Sequence, residues 1–136
     1  MRSDLGKVVL IGPGAVGGFY GAMLAKSGVD LRFLFRSTYD AVKTNGLWLV
    51  HHAEGGRREP VDSFEAYSSV ESIGICDWVI VATKTTANPS LCKSIRPLIG
   101  KGTSLLTLQN GMGNVENLAD GFGSDRTILA GLCFTC

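Results

Sequence analysis

Gly12-Pro13-Gly14-Ala15-Val16-Gly17 spaces three glycines as G-x-G-x-x-G, between an apolar run and a helical pattern. The run before it, Lys7-Val8-Val9-Leu10-Ile11, is continuous rather than alternating, as in a strand buried on both faces. After it the period changes. Val16, Phe19, Tyr20 and Met23 fall at i, i+3, i+4 and i+7, so the spacing predicts a helix over 15–27 with that stripe as its apolar face. Gly28 stands where helices commonly stop. Each loop glycine then has a mechanical reason. Gly12 permits a tight turn off the strand, Gly14 lets the backbone approach a pyrophosphate, and Gly17 lets the helix pack against the sheet. The free N–H groups and positive dipole end of the helix face the phosphates. The pattern alone is weak. Between a strand and a helix it reads as a dinucleotide-binding loop, with Gly12, Pro13, Gly14, Ala15, Val16 and Gly17 as its cofactor-binding residues.

The rest of the chain continues the alternation. Leu31-Arg32-Phe33-Leu34-Phe35 reads as a second strand, followed by a short helix around 39–44. Segments 46–50 and 57–61 read as a hairpin joined through His51, His52 and Gly55-Gly56. A strong buried strand is expected over 77–83. Asn88-Pro89 suits an N-cap and first helical position, with Leu91, Ile95 and Leu98 as the apolar stripe. A strand over 103–108, a helix striped by Val115, Leu118, Ala119 and Phe122, and a last strand over 127–134 complete the pattern. Strands alternating with helices predict an α/β fold: a Rossmann-like, doubly wound parallel sheet covered on both faces.

The chain of 136 residues suits one domain. Lys plus Arg is 13 and Asp plus Glu is 12, a net charge of +1, and no basic cluster exceeds Arg57-Arg58. Neither nucleic acid nor an anionic membrane is favoured as a partner. No apolar run approaches the roughly 18 residues of a membrane span, and the N-terminus lacks the form of a signal peptide. The expected compartment is the cytosol.

The ends of the other strands carry the remaining chemistry, because ligands of open α/β sheets lie outside the carboxyl ends of the strands. NAD binders usually place Asp or Glu about 20 residues past the loop, against the ribose 2′-hydroxyl. Here Arg36 stands nineteen positions past Gly17, followed by Ser37. A guanidinium suits a 2′-phosphate through charge-assisted bonds, which favours NADP(H). Two further ends are polar after apolar runs: Ala82-Thr83-Lys84-Thr85 and Leu108-Gln109-Asn110-Gly111-Met112-Gly113. A lysine at such an end suits a phosphate or an acid substrate. An asparagine there suits a carbonyl or hydroxyl beside the nicotinamide.

Taken in order, Gly12-Pro13-Gly14-Ala15-Val16-Gly17-Gly18, Phe35-Arg36-Ser37, Val81-Ala82-Thr83-Lys84 and Gln109-Asn110-Gly111-Met112-Gly113 resemble the N-terminal NADP-binding domain of the ketopantoate reductase (2-dehydropantoate 2-reductase) family. The resemblance covers essentially the whole chain. It implies that the loop binds the NADPH pyrophosphate, that Arg36 holds the 2′-phosphate, that Lys84 lies in the cofactor site, and that Asn110 sits between nicotinamide and substrate. The reaction implied is hydride transfer from NADPH to the C2 ketone of 2-dehydropantoate, giving pantoate on the route to pantothenate and coenzyme A. The family's helical C-terminal domain, with its acid lysine and most substrate contacts, has no counterpart in these residues. Residues 1–136 are thus expected to be a fragment of a longer two-domain enzyme, inactive alone and with no catalytic residue of its own. A reductase of another 2-oxo acid and a stand-alone NADP-binding module are the alternatives. A cut at a sheet strand also suggests self-association into a homo-oligomer.

Other signals are structural in this reading, and no metal site is expected. Cys133-Phe134-Thr135-Cys136 is a C-x-x-C within an apolar strand, and Cys76 and Cys92 read as small buried hydrophobes. His51-His52 is a solvated loop pair with no ligand at metal spacing. Glu65 and Glu71 flank a Ser-rich stretch without paired-carboxylate logic, Trp48 and Trp78 are packing residues, and no Ser-His-Asp arrangement is present.

Overall fold

A computed structural model describes residues 4–133. Strand β1 (Lys7–Ile11) runs into the glycine loop and helix α1 (Ala15–Lys26), which returns to β2 (Asp30–Leu34). Helix α2 (Tyr39–Asn45) and the antiparallel pair β3 (Leu47–His51) and β4 (Arg57–Val61) precede β5 (Phe64–Tyr67). The chain then crosses to β6 (Cys76–Val81), α3 (Asn88–Ile95), β7 (Ile99–Thr107), α4 (Asn114–Phe122) and β8 (Ile128–Ala130). Six strands form one parallel sheet in the order β5-β2-β1-β6-β7-β8. Winding runs outward from β1 on one side and from β6 on the other. The two strands are neighbours at the point where the order reverses, which is where such sheets open a crevice.

The continuous apolar strands serve two cores, one on each face. Along β1, Val9 and Ile11 face a core completed by Leu91, Ile95, Leu118 and Phe122 of the helices α3 and α4. Val8 and Leu10 face the other, with Ala22 and Ala25 of α1, Phe33 of β2 and Val61 of β4. The β3–β4 hairpin, with Leu47 and Leu49 turned inward, is part of the cover on that second face.

Four expectations need correction. Helix α1 forms, but Phe19 and Met23 are about half exposed, and its buried residues are Gly17, Gly21, Ala22 and Ala25. The helix lies so close to the sheet that only small residues fit beneath it. A Cβ on Gly21 would stand 2.4 Å from the Phe33 ring. Strand β5 lies where a Ser-rich stretch gave no strand signal. It pairs with β2, and Phe64 meets Phe33 edge to face at 5.2 Å. Strand β8 is shorter than expected. Its last backbone bond is Gly131 N–H to Thr107 O, and β7, its partner, ends at Thr107. The expected Phe134, Thr135 and Cys136 lie outside the described residues. Asn88 is not a cap: it is the first residue of α3, and its side chain is engaged elsewhere. Among the described residues, no helix is long and apolar enough to cross a membrane.

Candidate functional site

The loop after β1 is shaped by where a side chain can and cannot go. Gly12 has φ +81°, and a Cβ there would stand 2.7 Å from the backbone nitrogen of Thr83 at the end of β6. A Cβ on Gly17 would lie 2.5 Å from the Gly12 carbonyl oxygen and 2.9 Å from Ala82 Cβ. Both glycines are required by the protein's own packing. Gly14 differs: a Cβ on it would meet nothing within 4 Å. Its bare backbone borders open space at the start of α1. That helix has neither a side-chain cap nor an acidic residue in its first turn. The positive end of the helix dipole is therefore uncompensated, as in sites that receive phosphate.

A cleft of about 390 Å³ opens over this loop. Gly12, Pro13 and Gly14 line it together with Arg36, Ser37 and Lys84, while Val70, Leu91 and Ile95 add apolar wall. Arg36 follows β2 and Lys84 follows β6, the neighbours of β1 on either side. Both are exposed. Among the described residues neither has a carboxylate within 4 Å, which is true of most Lys and Arg here; what sets these two apart is that both line the cleft. Two cations beside an uncapped helix start give this cleft a positive lining, which is chemically suited to a polyanion. Ala15 and Val16 belong to the first turn of α1 and do not line the cleft. Gly17 is buried against the sheet, and its part is to let the helix approach.

Asn110 lies apart from that lining. It borders an adjoining recess of about 370 Å³ with Thr85, Asn88, Gly111 and Asn114. Behind it runs a network that the sequence reading passed over. Gln109 Nε2 donates to Thr83 Oγ1 at 3.1 Å and to Asn88 Oδ1 at 2.7 Å. Asn88 Nδ2 donates to Asn114 Oδ1 at 3.1 Å. Asn114 Nδ2 reaches the carbonyls of Asn110 and Gly111, each at 3.2 Å. A signal for Asn114 existed in its spacing: it falls at i−4 and i−8 from Leu118 and Phe122, on the buried face of α4.

The remaining candidates stay outside this site. Burial pushes the thiols of Cys76 and Cys92 up, so neither is a ready thiolate. Cys92 is half-buried rather than buried, and Cys133 is free. His51 Nε2 meets Glu59 at 3.0 Å in an ion-pair group on the hairpin, which also holds Lys26 and Arg57. Among the described residues no group of three or more His, Cys, Asp or Glu is placed to hold a metal ion.

Known proteins share this fold. A family profile described as "Ketopantoate reductase PanE/ApbA" matches residues 8–136. A 2-dehydropantoate 2-reductase from Nostoc is 41% identical over 130 residues, covering 96% of this chain and 40% of its own length. The crystal structure of a 2-dehydropantoate 2-reductase from Geobacter metallireducens superposes with a TM-score of 0.84 at 42% identity, over 96% of this chain and 42% of that one. A ternary structure of D-mandelate dehydrogenase with NADH and anilino(oxo)acetate superposes with a TM-score of 0.77 at 27% identity, over 92% of this chain and 40% of that one. The chain thus spans about 40% of the length of the relatives it matches.

Proposed function

The chain belongs to the ketopantoate reductase family, and from that premise we propose that it is the NADPH-binding domain of a reductase acting on 2-dehydropantoate. The reaction is hydride transfer to the C2 ketone, giving pantoate. The observation that carries the cofactor reading is the pair Arg36 and Lys84, unpaired among the described residues and flanking the bare Gly14 backbone.

When bound, NADPH supplies the hydride. The residues of this chain hold and orient it. Backbone N–H groups in the first turn of α1 would donate to pyrophosphate oxygens, with Gly14, whose own N–H is held by the Gly12 carbonyl, leaving the approach open. The Arg36 guanidinium, with the Ser37 hydroxyl, would donate to the 2′-phosphate, a group that NADH lacks. Lys84 adds positive charge on the opposite side of the loop. The Asn110 amide, in the adjoining recess, would lie between nicotinamide and substrate, with a donor and an acceptor to offer a carbonyl or hydroxyl there. Protonation of the developing alkoxide falls to an acid outside these residues, because Lys84 belongs to the cofactor cleft. The D-mandelate dehydrogenase neighbour supports a second reading, a reductase of another 2-oxo acid. That neighbour holds NADH, so the pyrophosphate contacts would be common to both readings, while the Arg36 contact to a 2′-phosphate belongs to the NADPH reading alone.

The test mixes the purified chain with NADPH and 2-dehydropantoate, following cofactor binding by fluorescence and consumption by absorbance. Binding without turnover is expected. Turnover at an enzyme-like rate would overturn the assignment of the acid to residues outside the chain. No binding by a folded chain would overturn the cofactor reading.

A further inference from the structure

We propose that Asn114 is a positioning residue, whose buried amide clamps the 109–111 backbone and so holds the Asn110 side chain at the nicotinamide end of the site. The proposal rests on the reading of Asn110 given above. Asn114 is only 6% exposed. It sits on the face of α4 that buries Leu118 and Phe122, where an apolar side chain would serve the packing as well.

The polar contacts of Asn114 explain why an amide stands there. Its Nδ2 lies 3.2 Å from Asn110 O, 3.2 Å from Gly111 O and 3.4 Å from Gln109 O, three successive carbonyls of one loop. Carbonyls only accept, so the amide nitrogen must face them. The Asn114 Oδ1 is then left to accept from Asn88 Nδ2. Asn88 must in turn present Oδ1 to Gln109 Nε2. Gln109 gives its second amide hydrogen to Thr83 Oγ1, and its Oε1 accepts from the Thr107 hydroxyl. The orientation of every amide is thus set from the carbonyl end. The relay also closes on itself, from the Gln109 side chain through Asn88 and Asn114 to the Gln109 carbonyl.

The loop needs such a clamp. Gly111 and Gly113 both have positive φ, at +94° and +84°, and a Cβ on either would meet nothing within 4 Å. Glycine has little conformational preference of its own, so a loop built on two of them is ordered by its contacts. Holding three carbonyls at one buried amide, whose two N–H groups they share, leaves the exposed Asn110 side chain bordering the recess beside the cofactor cleft. The network contains no titratable side chain, so its geometry is independent of pH.

The experiment compares two ligands on the 136-residue chain: NADPH, and 2′-phospho-ADP-ribose, which keeps the phosphates but lacks nicotinamide. Asn114→Ala and Asn110→Ala are each expected to weaken NADPH about threefold to tenfold, the loss of one or two hydrogen bonds. Both are expected to leave 2′-phospho-ADP-ribose binding unchanged. The double variant is expected to be no weaker than either single one, since the two residues act as a unit. Asn114→Ser, which keeps a small polar group at the helix start, covers the case in which the alanine variant fails to fold. The same selective loss is expected of it, in smaller measure. Equal weakening of both ligands by the Asn114 variants would mark a merely structural residue and overturn the proposal. So would full NADPH affinity in Asn114→Ser while Asn110→Ala is weakened. A wild-type chain that binds neither ligand, or an Asn110→Ala variant that binds NADPH like wild type, overturns the underlying site reading and the proposal with it.

Discussion

At Gly14 an added methyl group would meet no protein atom within 4 Å, while at Gly21 it would stand 2.4 Å from the Phe33 ring. The two glycines of one helix region therefore answer to different partners. Gly14 adopts an extended conformation open to any residue, so Gly14→Ala is expected to change stability by less than about 0.5 kcal/mol. The same substitution fills space that the proposed cofactor would need for its pyrophosphate, and NADPH binding is expected to weaken by at least about tenfold. Gly21→Ala is expected to show the reverse, an overpacking cost of about 1–3 kcal/mol with the cofactor contacts intact. Thermal unfolding and NADPH titration of both variants check the pair. The glycine loop, Arg36 and Lys84 were legible in the sequence because each is named by its place after a strand. Asn114 and Asn88 were not. Asn88 meets partners 21 and 26 positions away, Asn114 reaches back to carbonyls of a glycine loop whose path no periodicity shows, and an asparagine beside a glycine or a proline reads first as turn or cap chemistry.

Among the elements, the β3–β4 hairpin is tied to the end of α1 by charge as well as by Leu47 and Leu49. Glu59 accepts from Lys26 of α1 and from His51 of the facing strand. The Lys26 ammonium, and after it His51, holds the Glu59 carboxyl below the usual carboxylate range. A carboxyl lowered in the folded chain contributes stability that is complete above its unfolded value and is lost as pH falls through the lowered one. Glu59→Gln is therefore expected to have a lower Tm than wild type at pH 7. The two melting curves are expected to converge as pH falls through the lowered Glu59 value, where wild-type Glu59 is also neutral. A constant gap across that range would remove the ion pair from the account. The hairpin itself was readable from its alternating strands and Gly55-Gly56. The buried face of α1 was not, because periodicity locates apolar residues and says nothing of how close a sheet lies. Gly17, Gly21, Ala22 and Ala25 carry little hydropathy, yet they make the contact. Strand β5 escaped for a related reason: it is four residues long, with Glu65 inside it and serines at both ends.

At the scale of the whole molecule, the sheet order places β1 and β6 side by side, with chain leaving in opposite directions. That reversal gathers the glycine loop, Arg36 and Lys84 around one cleft, although they lie far apart in sequence. Strand-helix alternation made the architecture legible, since a parallel sheet with right-handed crossovers has few other solutions. Arg36 is proposed to make this cleft selective for NADPH over NADH. The most direct measurement is a fluorescence titration of the folded chain with NADPH and NADH, for wild type and Arg36→Ala. The account predicts tighter binding of NADPH by wild type. It predicts a loss of about tenfold to a hundredfold for NADPH in Arg36→Ala, the scale of charged hydrogen bonds, with NADH unchanged. Equal affinity of wild type for the two cofactors, or NADPH binding indifferent to Arg36→Ala, would contradict it.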